Sequence, residues 1–217
     1  MPLPERCAAA AAPPHRNHTI RSVPNPTGCC DGMNTLYEAA KEISDFLHRK
    51  EWRFCIIGGL AVARWGEPRT TVDVDLTLMT GFGDEERYAR ALLDRFRPRV
   101  ERALDFATEH RILLLYAGNG RDLDISFGAF PFEEEMVNRA SAFEFAAGVE
   151  LVTCSAEDLF VLKVFADRSK DWADAEGVAV RQALDREYVL KHLRPLCELK
   201  EAPEILARAA RLLEETS

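Results

Sequence analysis

The chain has 217 residues, 47% of them hydrophobic, with 28 Lys and Arg against 36 Asp and Glu and a formal net charge of −8. That is enough apolar material to bury a real core, and no apolar run reaches the roughly 20 residues that cross a bilayer. The negative balance excludes a molecule that holds nucleic acid by bulk charge, so an RNA or DNA partner needs a local basic patch and a metal to offset repulsion. The six cysteines (Cys7, Cys29, Cys30, Cys55, Cys154 and Cys197) lack the paired C-x-x-C spacing of a zinc site. Cys55 sits in a buried-strand pattern and Cys197 in a helical one, where a small apolar role fits. A reducing cytoplasm is the simplest compartment.

Residues 1–32 read as a disordered extension, with an alanine run, several prolines and no apolar periodicity. Arg6, Arg16 and Arg21 are not followed by the continuous apolar core of a secretory signal. Met33 directly precedes a helical pattern and is expected to be the native start. Thr35 with Glu38 forms a capping box, opening a helix with the stripe Leu36, Ala39, Ala40, Ile43, Phe46 and Leu47 that ends near Lys50. Residues 54–57 are a short buried strand, Gly58 and Gly59 a turn, and residues 60–65 a helix. A glycine pair at a strand-to-helix junction lets the backbone turn tightly and approach a ligand. The free N–H groups of the helix start suit phosphate.

Asp73 and Asp75 follow in an alternating run that closes near Thr80. Alternate residues of a strand share a face, so both carboxylates point one way while Val72, Val74 and Leu76 point into a core. Two such acids at ~4 Å repel by roughly 4 kcal/mol at an effective dielectric near 20. A cation between them turns that cost into a site, and oxygen-only ligation suits Mg²⁺. Without metal, the mutual repulsion is expected to raise one aspartate's pKa.

Residues 84–96 read as a helix broken by Pro98, with Tyr88, Leu92, Leu93 and Phe96 on one face. Residues 112–116 and 123–127 flank the turn 117–121 as a hairpin, whose second strand turns Asp122, Asp124 and Ser126 to one side. Arg95, Arg97, Arg99 and Arg102, interleaved with Asp94 and Glu101, read as a solvated face. Residues 142–147 and 149–153 form a further hairpin across Gly148. Ser155 with Asp158 makes a second capping box, before a helix carrying Leu159, Leu162 and Phe165. Helical periodicity then dominates over 173–182, 188–199 with a break at Pro195, and 205–213. His48 and His192 are simplest as surface residues, and Trp52, Trp65 and Trp172 as core or boundary residues. The fold class is α/β: a mixed sheet flanked by helices over 33–154, then a helical region over 155–217.

The joint pattern of Gly58-Gly59, Gly66, Arg69, Thr71, Asp73 and Asp75, written G-G-x13-D-x-D with R-T-T before the acid strand, resembles the nucleotidyltransferase superfamily that includes DNA polymerase beta. Within it the chain looks most like the AbiEii-like nucleotidyltransferase toxins, over roughly residues 33–177. One departure is Gly59, where many members have serine. The resemblance implies a third carboxylate, Asp124, with Asp122 as the alternative. The segment E-D-L-F-V-L-K-V-F-A-D-R-S-K-D-W-A-D extends the likeness. It implies that Lys163 contacts a triphosphate, as Arg69 and Thr71 do. It also implies that Asp171 positions or activates an acceptor and that Asp174 supports the helix turn through an ion pair. The implied activity is Mg²⁺-dependent transfer of a nucleoside monophosphate from an NTP to an acceptor hydroxyl, such as a tRNA 3′ end, with an antitoxin protein as partner. A protein or aminoglycoside acceptor, or a catalytically silent binding protein of the same fold, are the alternatives.

Overall fold

A computed structural model describes residues 30–216. The expectations placed on residues 1–29 lie outside the described residues. Helix α1 (Cys30–Arg49) is followed by β1 (Phe54–Ile56), α2 (Gly58–Trp65), β2 (Asp73–Met79), α3 (Glu85–Leu93), β3 (Arg97–Pro98), α4 (Ala103–His110), β4 (Ile112–Tyr116) and β5 (Asp122–Gly128). Then come α5 (Pro131–Arg139), β6 (Ser141–Ala146), β7 (Val149–Thr153), α6 (Ala156–Ala166), α7 (Ser169–Arg181), α8 (Arg186–Lys200) and α9 (Pro203–Glu215). The strands form one sheet in the order β3-β4-β5-β2-β1-β7-β6. β2 runs parallel to β5 and β1 to β7, the remaining pairs being antiparallel. The α/β mixed sheet and the helical C-terminal region are as the sequence implies.

Alternation sorts the two sheet faces. Val74, Leu76 and Leu78 of β2, with Leu113 and Leu115 of β4 and Leu123, Ile125 and Phe127 of β5, are buried in one cluster with α1, α3 and α4. A second cluster joins α6 to α9 through Phe160, Val164, Trp172, Val189, Leu193 and Ile205. A third, with Cys55, Val62, Met136, Leu159 and Val178, lies between sheet and helices. Cys55, Cys154 and Cys197 are buried free thiols, and Trp52, Trp65 and Trp172 occupy core or boundary positions.

Several local expectations are corrected. α1 already runs at Thr35, so the Thr35–Glu38 box is no cap; the Thr35 hydroxyl accepts hydrogen bonds from Arg121 at 3.0 and 2.7 Å. Val72 is 59% exposed, because the strand begins one residue later. α3 ends at Leu93, and Pro98 lies in the edge strand β3, where a missing N–H is harmless. α8 runs through Pro195 unbroken, since Val189, Leu193 and Cys197 anchor it on both sides of the exposed proline. α4 and α5 had no counterpart in the sequence reading. By contrast, Ser155 caps α6 as expected, its hydroxyl accepting from the Asp158 N–H at 3.2 Å.

Candidate active site

The site grows from the β1–α2 junction. Gly58 sits at φ +61°, and a Cβ built there would lie 1.9 Å from Oδ2 of Asp75. Glycine is thus required twice, by backbone conformation and by the carboxylate against it. A Cβ on Gly59 would lie 2.3 Å from Oγ1 of Thr71. The Thr71 hydroxyl in turn donates to Oδ1 of Asp73 at 2.9 Å.

Strand pairing fixes the acids. β2 and β5 align Asp73 with Asp122 and Asp75 with Asp124. β4 continues the two rows with Tyr116 opposite Asp122 and Leu114 opposite Asp124, and β3 adds Arg97 opposite Tyr116. One row therefore reads Asp73, Asp122, Tyr116, Arg97 across four strands of a single face. The Arg97 guanidinium lies 4.1 Å from the Tyr116 ring centroid.

Asp73, Asp75 and Asp124 each offer a carboxylate oxygen, and these oxygens lie within 4.8 Å of one another. No other group of three metal-capable acids, histidines or cysteines occurs among the described residues. The Asp75 carboxyl is pushed up to about 6, first by burial and then by the charges of Asp73 and Asp124, with Lys163 and the Gly59 N–H opposing. Repulsion within the pair is present as expected, but desolvation is the larger cause. Burial also raises Asp124, against Arg99. Half-buried acids that raise one another's pKa are a donor set short of positive charge, and they fit a hard divalent cation.

Opposite the acids, α6 and α7 present a chain of alternating charge. Lys163, only 7% exposed, reaches Oδ1 of Asp171 at 3.1 Å and Oδ2 of Asp174 at 2.8 Å. Arg69 grips Asp174 with Nε and Nη2 at 2.8 and 2.9 Å, and Arg168 pairs with Asp171. Burial acts upward on Asp171, yet the hydrogen bonds from Arg168 and Lys163 hold its carboxyl below the ordinary range. Asp174 is held low in the same way by Arg69 and Lys163.

These elements enclose an open cavity of about 330 Å³. From the sheet side Gly58, Gly59, Thr71, Asp73, Asp75 and Asp124 line it, and from the loop and helices Arg69, Lys163 and Asp171. All nine candidate residues are thus brought to one place, while Asp122 stands aside. Three participants were missed. Arg168 and Lys170 line the same cavity, and the i,i+3 spacing of Arg168 to Asp171 was a usable signal. Arg99 was read as a solvated residue; instead its guanidinium spans Asp122, at 3.1 Å, and Asp124. Its partners lie on another strand, so no local spacing reveals them.

A family model described as "Nucleotidyl transferase AbiEii toxin, Type IV TA system" matches residues 40–214. The chain belongs to the AbiEii nucleotidyltransferase family. No curated protein matches it in sequence. Among solved structures, an antigenic nucleotidyltransferase-like protein from Paracoccidioides brasiliensis shares 16% identity over 87% of this chain and 95% of its own, with a TM-score of 0.47. The antibiotic-resistance factor ANT(2'')-Ia shares 17% over 84% and 92%, with a TM-score of 0.45. The lincosamide antibiotic adenylyltransferase LnuA, bound to lincomycin, shares 13% over 67% and 97%, with a TM-score of 0.47. None of these likenesses bears on the substrate of this AbiEii-family enzyme, which is a nucleotidyltransferase by family. Among the described residues, no helix is long and apolar enough to cross a membrane.

Proposed function

We propose that this enzyme moves a nucleoside monophosphate from an NTP to the terminal hydroxyl of a nucleic acid, a tRNA 3′ end, in the cytoplasm. Its product would arrest growth, as the toxin half of a toxin–antitoxin pair. The observation that carries the reading is the trio Asp73, Asp75 and Asp124, with oxygens within 4.8 Å, facing the buried Lys163 across one cavity. Asp73, Asp75 and Asp124 would hold Mg²⁺, which supplies Lewis-acid charge at the triphosphate. Gly58 and Gly59 let the triphosphate approach the backbone closely. Lys163 and Arg69 place positive charge where negative charge gathers in the transition state, and Thr71 orients Asp73. The acceptor oxygen bonds to the α-phosphorus, pyrophosphate leaves, and the hydroxyl proton is released. Asp171, held ionised by two cations, is a weak base; it is suited to orienting the acceptor rather than taking its proton. The paired Arg97 and Tyr116, on the same sheet face as the acids, supply a flat cationic and aromatic surface of the kind on which unpaired bases stack.

The test is transfer from each labelled NTP to total RNA, with whole-cell protein and aminoglycosides as parallel acceptors. Label in tRNA, lost in Asp73→Asn and Asp75→Asn variants that keep the wild-type melting profile, is the expected result. Label confined to protein or drug would move the acceptor to another class. Undiminished transfer by the double variant would remove the acid trio from the reaction.

A further inference from the structure

Arg99 stands immediately after the edge strand β3, and its backbone N–H donates to the Leu114 carbonyl at 2.9 Å. That bond sets it in line with the row Asp75, Asp124, Leu114. Its side chain, 23% exposed, reaches back over the sheet to β5. There one outer nitrogen holds Asp122 at 3.1 Å and the other holds Asp124. The fork that could grip one carboxylate bidentately is shared between two.

This differs from the other arginines and the lysine paired with acids at the site. Lys163, Arg69 and Arg168 are bound to Asp171 and Asp174, which are outside the acid trio. Arg99 is bound to a member of the trio. A divalent cation using Asp124 must share that carboxylate with a guanidinium or displace it, and like charges at one ligand oppose each other. A triphosphate, with several non-bridging oxygens and more negative charge than a carboxylate, offers the displaced guanidinium a bidentate partner in exchange.

We propose that Arg99 holds the third carboxylate of the acid trio until a nucleotide's triphosphate draws it away, so that divalent metal and nucleotide bind this enzyme as a unit. The proposal rests on the nucleotidyl-transfer reading of the site. Arg99 is then a positioning residue acting through Asp124. By linkage, metal and nucleotide must raise each other's affinity equally, and part of that mutual gain resides in the Arg99 exchange.

The experiment is a Mn²⁺ titration of the full chain, by calorimetry or electron paramagnetic resonance, with and without a non-transferable α,β-methylene NTP analogue. Free Mn²⁺ is expected to bind Arg99→Gln at least tenfold more tightly than wild type, because the competing cation is gone. The further gain from the analogue is expected to be at least fivefold smaller in the variant. If Arg99→Gln binds free Mn²⁺ as weakly as wild type, or more weakly, Arg99 merely orients Asp124 and the proposal is overturned. Should that variant fail to fold, Arg99→Lys keeps the charge without the fork. The analogue-dependent gain is then expected to fall at least fivefold, and an unchanged gain overturns the proposal. If wild type binds neither Mn²⁺ nor the analogue, the nucleotidyl-transfer reading itself fails.

Discussion

At the scale of single residues, Gly59 and Thr71 compete for one space. A Cβ at position 59 would fall 2.3 Å from the Thr71 hydroxyl and 2.6 Å from its Cβ. Threonine is stiff at χ1 and cannot swing clear. The departure noticed in the sequence, glycine where serine is common, thus has a spatial partner twelve residues on. Gly59→Ser is expected to cost roughly 1–3 kcal/mol through overpacking, and Gly59→Ser with Thr71→Ala to recover most of it; thermal melts of the three proteins check this. Equal destabilisation in the single and double variants would show that the two positions do not compete. Lys163→Met is expected to cost about 3–5 kcal/mol, the usual effect of removing one partner from a buried ion pair, because Asp171 and Asp174 are 1% and 5% exposed. Chemical denaturation measures it, and activity lost in that variant must be judged against this loss of fold. At this scale the motif residues were legible because the acids, glycines and Arg69–Thr71 are crowded into eighteen positions, 58 to 75. Lys163 was legible only through resemblance, since a lysine on a helix looks the same in sequence whether solvated or buried.

At the scale of elements, α8 shows what periodicity misses. Tyr188 on this helix donates to Oδ1 of the fully buried Asp158 at 2.7 Å, and the Ser155 hydroxyl donates to Oδ2 at 2.7 Å. Tyr188→Phe leaves a buried carboxylate oxygen short of a donor and is expected to cost about 1–3 kcal/mol, read from melting. One turn on, His192 is no surface residue. Its ring lies 4.3 Å from Tyr188 and 5.6 Å from Phe132, and its buried Nε2 has no hydrogen-bond partner. Burial, then the charge of Lys191 and finally that of Arg139, holds its pKa below 6.5, against Asp158 and Glu135. The unfolded chain therefore takes up this proton first as pH falls, so stability contributed by neutral His192 is present above about pH 6.5 and lost below it. Urea titrations at pH 7.5 and 5.5 are expected to show that loss in wild type, and a smaller one in His192→Phe, which keeps the ring stack. An equal loss in both would clear His192. The two capping boxes make the same point about legibility. Ser155–Asp158 and Thr35–Glu38 are alike as patterns, but only the first coincides with the start of a helix; what precedes Thr35 continues the helix.

For the whole molecule, the division into a catalytic part, 33–154, and a helical part, 155–217, remains a proposal about organisation. The cluster containing Cys55, Val62, Leu159 and Val178 draws on both parts, and so does the cavity, with acids from the sheet and Lys163 from α6. Two parts that share a core and a site are expected to unfold together. Variants keeping only Trp52, in the sheet cluster, or only Trp172, in the helical cluster, are expected to give coincident fluorescence transitions in urea. Separated midpoints would establish two units. Strands and their inward faces were legible because alternation is a local pattern. Their order across the sheet was not, because the parallel pairing of β2 with β5 is made over a separation that no window of sequence spans. Arg99 belongs to that second kind of information, as does the alignment of Asp73 with Asp122.

That alignment ends at β3, which is two residues long and closes the sheet on that side. The row from Asp73 through Tyr116 therefore finishes on an exposed arginine, with no further strand among the described residues to wall it in. A long polymer can lay its tip along such a ledge while its body remains outside the protein. On the proposed reading, an acceptor would then be sorted by how it ends and not by how large it is.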